Sequence, residues 1–174
     1  MIHSSDAFVL TLPPGHRFPM AKYARLAERV ASVAGGRMRV PDAATDEELL
    51  RAHDATYVDS VVRGTLDPRA QRRIGFPWSS AMVERSRRSA GATIAACRDA
   101  LEGGLGINLA GGTHHAHRAH GEGFCVFNDT AVAARAMQAE GRARRVLVVD
   151  LDVHQGDGTA SIFAGDPDVV TFSM

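Results

Sequence analysis

The sequence predicts an α/β fold in which helices flank a parallel β-sheet, and two observations lead to this class. Short apolar runs that fit buried strands alternate with longer segments of helical periodicity, as in β-α-β units. Ligand-type side chains also follow directly after the apolar run Val146-Leu-Val-Val149, and in open α/β sheets ligands gather at the carboxyl ends of strands. A length of 174 residues predicts one domain over residues 1–174.

In the first part of the chain, breakers and caps separate the predicted elements. Residues 8–12 are a strand candidate that ends at Pro13-Pro14. Residues 22–32 have helical periodicity and stop at a Gly pair. Thr45-Asp-Glu-Glu48 is a capping box that starts a helix, and residues 56–63 form a second short helix. Residues 64–78 contain two glycines and two prolines and are expected to be a surface loop.

The second part contains the clearest helix and the strands nearest the chemistry. An Ala-rich helix is predicted from Ser79 or Ser80 to about Glu102, closed by Gly103-Gly104. The remaining predicted elements are a short strand within residues 105–110, a helix over residues 129–140, strands over residues 146–149 and 169–172, and a short helix between those strands.

Composition narrows the class of protein. The formal net charge is zero, which argues against bulk attraction to nucleic acid. Two cysteines, Cys97 and Cys125, make no disulfide framework and favour a reducing compartment. No apolar run approaches the roughly 20 residues of a membrane span, and no secretory signal opens the chain. The expectation is a soluble, cytoplasmic protein without membrane or direct nucleic-acid partners.

The octet Asp150-Leu-Asp-Val-His-Gln-Gly-Asp157 carries the strongest chemical signal. Because side chains alternate along a strand, Asp150, Asp152 and His154 are expected to leave on one face where the strand ends. Two carboxylates and an imidazole are costly to bury together without a counter-charge. A divalent cation is the usual solution.

A second cluster follows the strand candidate at residues 105–110. The segment from Gly111 to His120 holds four of the chain's eight histidines, including the adjacent pair His114-His115. Neighbours in an extended loop point apart, so the pair suits two catalytic roles better than one shared metal site. Each ring would then be held by its own carboxylate. His117 and His120 are expected to be solvent-exposed.

Three sequence blocks make the chain resemble the zinc-dependent histone deacetylase family, which includes acetoin-utilisation proteins and acetylpolyamine amidohydrolases. The blocks are Gly111-Gly-Thr-His-His115, Gly123-Phe-Cys-Val-Phe-Asn-Asp129 and Val149-Asp-Leu-Asp-Val-His-Gln-Gly-Asp-Gly158, in the family's order and spacing. The resemblance implies the arginase–deacetylase fold. It covers nearly all 174 residues, but only the N-terminal portion of a family catalytic domain.

The resemblance implies a zinc site and an acid–base pair. Asp152 and His154 match two zinc ligands, whereas the family's third ligand and its carbonyl-polarising tyrosine have no counterpart here. The second histidine, His115, matches the general base and acid, and His114 the ring that stabilises charge. Asp150 and Asp157 match their respective carboxylate partners.

The resemblance also implies a substrate channel for an acetylated lysine or polyamine. Gly123 matches a backbone acceptor of this channel, and Phe124 matches a ring that forms its wall.

Family members also bind potassium near the zinc. The matching positions here are Asp150, Asp152, His154, Ser173 and, through its carbonyl, Met174. Ser173 and Met174 follow the predicted strand over residues 169–172.

The segment Val169-Val-Thr-Phe-Ser-Met174 is an apolar strand with no turn after it. We therefore expect a truncated chain that is incomplete and inactive by itself. Two alternatives to a zinc-dependent deacetylase stay open: an arginase-like dimanganese ureohydrolase, and an inactive remnant that binds metal weakly or serves only interactions. Neither the acyl group nor the oligomeric state is predicted.

Overall fold

The computed structural model describes all 174 residues, as seven helices and five short strands. In chain order these are β1 Ile2–His3, α1 Lys22–Ala34, β2 Met38–Arg39, α2 Asp46–Leu50, α3 Ala55–Arg63, α4 Pro68–Ile74, α5 Ser80–Gly103, β3 Ile107–Asn108, α6 Asp129–Ala139, β4 Val146–Asp150, α7 Asp157–Ile162 and β5 Val169–Ser173. None of the helices is both long and apolar enough to cross a bilayer.

Every strand pairing is parallel, which confirms the predicted class. β1 lies between β2 and β3, and β4 pairs with β5. The register of the second pair runs from Val146 opposite Val169 to Asp150 opposite Ser173. Ser173 is therefore a paired residue of this sheet. Parallel strands need crossover connections, and helices supply them here.

Helix α5 is the longest element, and it packs against α6. Ser79 caps its first turn by accepting a hydrogen bond from the Met82 amide, and Gly104 ends it in the left-handed conformation, as predicted. The small residues of α6 bury almost completely, which lets the two helices approach closely. The largest fully buried side chains around this contact include Phe127, Leu49, Ile74, Met82 and Ile94.

Two predictions about the first half are wrong. Residues 8–12 form no strand, although Leu10 is buried; the first strand is instead Ile2–His3. Residues 64–78 are not only a loop, because Pro68–Ile74 is helical. The Asp67 carboxylate accepts from the Arg69 amide and Pro68 occupies the first turn, where a missing N–H costs nothing.

The paired strands β4 and β5 have one covered and one open face. Val146 and Val148 pack against the core, and Val169 is buried. On the opposite face every second side chain is exposed, by 66% at Leu147 and 54% at Phe172. The open face comprises Leu147, Val149, Val170 and Phe172. It is an apolar patch without a covering layer in this chain.

Candidate active site

An open cleft of about 830 Å³ lies at the carboxyl end of β4. Its walls are residues 17–19, 22–23, 111–115, 123–125 and 148–152, with Thr130, His154 and Thr159. Seven of the predicted site residues line it, namely His114, His115, Gly123, Phe124, Asp150, Asp152 and His154. Asp157 supports the cleft from behind His115, whereas Ser173 and Met174 do not line it.

The histidine loop is anchored by Asp129, a residue without a predicted role. This carboxylate is 1% exposed and accepts hydrogen bonds from the amides of Gly112 at 3.1 Å and Thr113 at 2.8 Å. The Thr113 hydroxyl lies 2.7 Å from the same carboxylate, and the Thr93 hydroxyl lies 2.5 Å away. Asp129 thus holds the residue immediately before the histidine pair.

His53 ties the far side of the same loop to helix α6. Its Nε2 accepts from the Asn128 amide at 2.9 Å, so its Nδ1 carries the proton and donates to the His117 carbonyl at 2.9 Å. Burial lowers the pKa of His53 from its ordinary value to about 4. The ring is therefore a neutral structural group. His53 and Asn128 are 75 residues apart, so no local sequence pattern predicts this contact.

His114 and Asp150 form the first histidine–carboxylate pair. Nδ1 of His114 lies 2.6 Å from Oδ2 of Asp150, and both side chains are largely shielded from solvent. Gly156 crosses the pair so closely that a Cβ atom there would overlap the Asp150 carboxylate. Only glycine leaves room for this crossing.

His115 and Asp157 form the second pair, with Nδ1 of His115 lying 2.7 Å from Oδ1 of Asp157. Burial opposes the ionisation of Asp157, but hydrogen bonds from His115 and the Gly158 amide outweigh it and hold the pKa below its ordinary value. Gly123 packs on the other side of the ring, where a Cβ would lie 2.9 Å from Cδ2 of His115.

The two imidazoles are adjacent, with ring centroids 4.1 Å apart. In each ring Nδ1 faces a carboxylate, which places the proton on Nδ1 and leaves the Nε2 lone pair available. The two pairs therefore lie side by side, and the more exposed of the two rings is that of His115.

Asp152 and His154 lie beside these pairs, but not for the predicted reason. Strand β4 ends at Asp150, so alternation does not place them. A turn does, because the Asp152 amide donates to Oδ1 of Asp150 at 3.0 Å. Oδ1 of Asp152 then lies 2.9 Å from Nδ1 of His154. A backbone hydrogen bond from His154 and the contact with its ring lower the pKa of Asp152.

Asp152 and His154 are a carboxylate and an imidazole, which are ligand types that zinc uses, and zinc hydrolases commonly employ three protein ligands. The structure has no group of three or more His, Cys, Asp or Glu side chains placed to hold one metal ion. A zinc site at Asp152 and His154 therefore stays a prediction.

Two hydrogen bonds join the end of β5 to the turn after β4. Ser173 sits opposite Asp150 in the strand register, and its hydroxyl accepts from the Gly156 amide at 3.0 Å. The Met174 amide donates to the Asp150 carbonyl at 3.3 Å. A potassium site at these residues stays a prediction.

Gly123 and Phe124 form a rigid tip on the cleft wall. Phe124 is the only non-glycine residue with a positive φ, 66°, which is a strained conformation that surrounding contacts must maintain. Its amide donates to the Ile74 carbonyl at 2.7 Å, and the Gly123 amide donates to the Arg73 carbonyl at 3.2 Å. The end of helix α4, expected to be loop, therefore positions this tip.

Aromatic rings complete the wall. Phe18 and Phe76 lie 4.9 and 5.1 Å from Phe124 between ring centroids. Gly75 must be a glycine here, since its φ is +88° and a Cβ would lie 2.8 Å from the Phe124 ring. Phe18 and Phe76 thus pack against Phe124, the residue predicted to contact substrate.

Two basic residues of the cleft, Arg17 and Lys22, were not among the predicted site residues. Arg17 places its guanidinium 5.3 Å from the Phe124 ring centroid, and Lys22 places its ammonium 4.8 Å from that of Phe18. Both are exposed and line the same cleft as the histidines. The sequence offered no signal for this, because the contact depends on how residues 13–21 fold back over the site.

His117 and His120 were expected to be solvent-exposed. In the structure both are partly buried. Their rings stack 4.3 Å apart, and Nε2 of His117 lies 3.8 Å from Oδ2 of Asp157. Cys125 is buried, and burial raises the pKa of its thiol to about 12. This environment suits a packing role for Cys125 rather than a reactive one, because an un-ionised thiol is a poor nucleophile.

The comparisons with known proteins agree with the geometry. A family model described as the histone deacetylase domain matches residues 6–174. An uncharacterised protein of Picosynechococcus is 48% identical over 96% of this chain, which spans 57% of that relative. The acetoin utilization protein AcuC of Bacillus subtilis is 34% identical over 80% of this chain, which spans 38% of it.

A solved structure supports the fold. The crystal structure of a histone deacetylase homologue from Aquifex aeolicus superposes with a TM-score of 0.80 and 26% sequence identity. The match covers 99% of this chain and 50% of that one. The chain therefore spans between 38% and 57% of the length of these three proteins.

Proposed function

The chain belongs to the histone deacetylase family, and on this premise we propose that it contributes to a hydrolase that removes acetyl groups from acetyl-lysine or acetylated polyamines. The observation that carries the proposal is the side-by-side placement of two histidine–carboxylate pairs, His114–Asp150 and His115–Asp157. They stand next to Asp152 and His154 in one cleft. Amide hydrolysis needs a base for water and an acid for the leaving amine.

In this proposal His115 performs the proton transfers. Its Nε2 accepts a proton from the attacking water, and the resulting imidazolium is stabilised by Asp157 at Nδ1. The same proton then passes to the amine as the C–N bond breaks, which leaves acetate and a free amine. His115 suits this role because its pair is the more open to the cleft.

His114 is assigned a supporting role. Its pair with Asp150 is more shielded and is locked by the crossing of Gly156. A ring held in this way stabilises charge and orients water without exchanging protons freely with solvent. Preorganised groups of this kind avoid reorganisation in the transition state.

We propose that Asp152 and His154 would hold Zn²⁺ as two of its protein ligands, and that at least one further ligand would complete the site. When bound, zinc supplies an activated water and polarises a carbonyl oxygen. The low pKa of Asp152 favours its ionised form, as metal binding requires. We propose K⁺ as a second ion, with the oxygen atoms of Asp150, Asp152, His154, Ser173 and Met174 as its ligands.

The acyl-lysine arm would enter past the tip formed by Gly123 and Phe124. The Phe124 ring would pack against the methylene chain, and the Gly123 carbonyl would accept from the substrate amide. The backbone hydrogen bonds that fix this tip on α4 make it a preformed wall. Free Cys97 and Cys125 further support a reducing compartment such as the cytoplasm.

Family membership favours this activity over an arginase-like dimanganese ureohydrolase, which would need further bridging carboxylates. An activity assay distinguishes the proposed deacetylase from the second alternative, a remnant without activity. The protein in its full natural length should release acetate from a fluorogenic acetyl-lysine peptide, and His115→Ala should abolish most of that turnover. His120→Ala is the matched control, because His120 lies in the same loop but contacts neither pair. Absence of turnover in the wild-type protein would support the remnant.

A further inference from the structure

The rim of the cleft carries a pair of positive charges that no carboxylate neutralises. Arg17 and Lys22 are exposed and line the cleft. Each lies over an aromatic ring rather than in an ion pair. A cation held over a ring keeps its charge available, because a ring quadrupole contributes only about 1 kcal/mol at an exposed site and neutralises nothing.

The negative charges of the cleft are all engaged elsewhere. Its lining contains two carboxylates, Asp150 and Asp152. The first faces His114 and the second faces His154. Both carboxylates therefore lie among the histidines of the cleft, whereas Arg17 and Lys22 lie on its aromatic side.

A third cation lies beneath the rim. Arg85 is buried, with 7% exposure, and its guanidinium lies 4.2 Å from the ring centroid of Tyr23. The Lys22 ammonium lies 5.1 Å from the same ring. Arg85 makes no ion pair either, but it does not line the cleft and contacts Tyr23 from the protein interior.

From this distribution we propose that the cleft selects acylated substrates that carry carboxylates next to the acyl-lysine, such as acidic peptides, over polycationic ones. Arg17 and Lys22 are the specificity-determining residues. The guanidinium of Arg17 can bind a carboxylate with two parallel hydrogen bonds, and Lys22 adds a point charge. Lysine-rich tails and polyamines would instead meet repulsion. This inference rests on the proposed deacetylase function for the identity of the acyl group.

The test compares three peptides that share one central acetyl-lysine and differ only in flanking residues, which are glutamate, glutamine or lysine. Binding is measured by fluorescence anisotropy and turnover by acetate release, with the protein in its full natural length. At low salt the glutamate peptide should bind about tenfold more tightly than the lysine peptide, since exposed pairs contribute up to about 1 kcal/mol each. The preference should shrink in high salt, and in turnover it should appear in KM.

The double variant R17Q/K22Q should reduce the preference to about twofold, because both attractions are lost. R25Q/R29Q is the matched control: it removes the same net charge from exposed positions in helix α1 that do not line the cleft. It should keep the wild-type preference.

Three results would overturn the inference: equal binding of the three peptides, tighter binding of the lysine peptide, or an equal loss of preference in the control variant. Turnover of the peptides tests the proposed deacetylase function separately from the rim selectivity. If no peptide were hydrolysed while the glutamate preference persisted and depended on Arg17 and Lys22, the proposed function would fail and the rim selectivity would stand.

Discussion

The hydroxyl of Thr113 lies 2.7 Å from the carboxylate of Asp129, and this contact joins the residue before the histidine pair to the first turn of helix α6. The Thr113 amide donates to the same carboxylate at 2.8 Å. The position of the catalytic loop therefore depends on a buried acid that touches no proposed substrate. Its removal should affect stability and activity together.

Replacement of Asp129 by alanine leaves the amides of Gly112 and Thr113 without their acceptor. We expect a loss of about 1 to 3 kcal/mol in the free energy of unfolding, because several donors lose their hydrogen-bond acceptor. Urea denaturation measures it. Asp59→Ala is the control, since Asp59 forms only an exposed pair with Arg63 and should cost less than about 1 kcal/mol. Similar losses for the two variants would contradict the anchoring role.

The environment of His53 predicts a pH dependence of stability. Its pKa is about 4 in the folded protein, against about 6.5 in an unfolded chain. Because the folded state favours the neutral ring, the stabilisation is complete above pH 6.5 and is lost as the pH falls from 6.5 toward 4. The loss at the acidic end is about 3 kcal/mol.

The measurement is the difference in unfolding free energy between wild type and His53→Gln at several pH values. That difference should be largest near pH 7 and should decline toward pH 4, because only the wild type carries the titrating ring. Carboxylates titrate in both proteins and cancel. A difference that stayed constant from pH 7 to pH 4 would show that His53 does not titrate as assigned.

Gly156 predicts a steric route to inactivation. A Cβ atom there would overlap the Asp150 carboxylate and move the partner of His114. We expect Gly156→Ala to lower kcat on an acetyl-lysine peptide by about 10- to 100-fold, since small displacements of catalytic groups are costly. Gly103→Ala is the control, because nothing lies within 4 Å of a Cβ at that helix position. Full activity of the Gly156→Ala variant would show that the close approach of Gly156 to Asp150 is not required for catalysis.

The sequence predicted the parts of this site that lie near one another along the chain. The strand that delivers Asp150 and the loop that delivers His114 and His115 follow from apolar runs and glycine-rich breaks. Helix α5 follows from its caps and its Ala-rich periodicity. Their pairing distances, however, could be expected only by resemblance to a family.

The parts that were missed depend on long-range contacts or on short local elements. His53 and Asn128 are 75 residues apart, and no pattern in sequence links them. The sequence predicts a loop where helix α4 lies, because glycines and prolines flank this short segment. Strands of two residues, such as β1 and β2, are too short to have a periodicity at all.

The last prediction concerns the open face of β4 and β5. Leu147 and Phe172 are more than half exposed there and adjoin Val149 and Val170. Contiguous apolar patches of this kind drive association, and unpaired strand edges invite further pairing. We therefore expect the 174-residue chain, expressed alone, to sediment with a mass that increases with concentration. Leu147→Lys should shift it toward monomer, because a charge in the patch opposes burial.

Val33→Lys is the matched control. Val33 is 75% exposed, but it lies on helix α1 outside the open face, so its replacement should leave association unchanged. Sedimentation velocity over a range of concentrations separates the variants. A wild-type chain that remained monomeric throughout the range, or equal effects of the two substitutions, would exclude the open face as the surface of association.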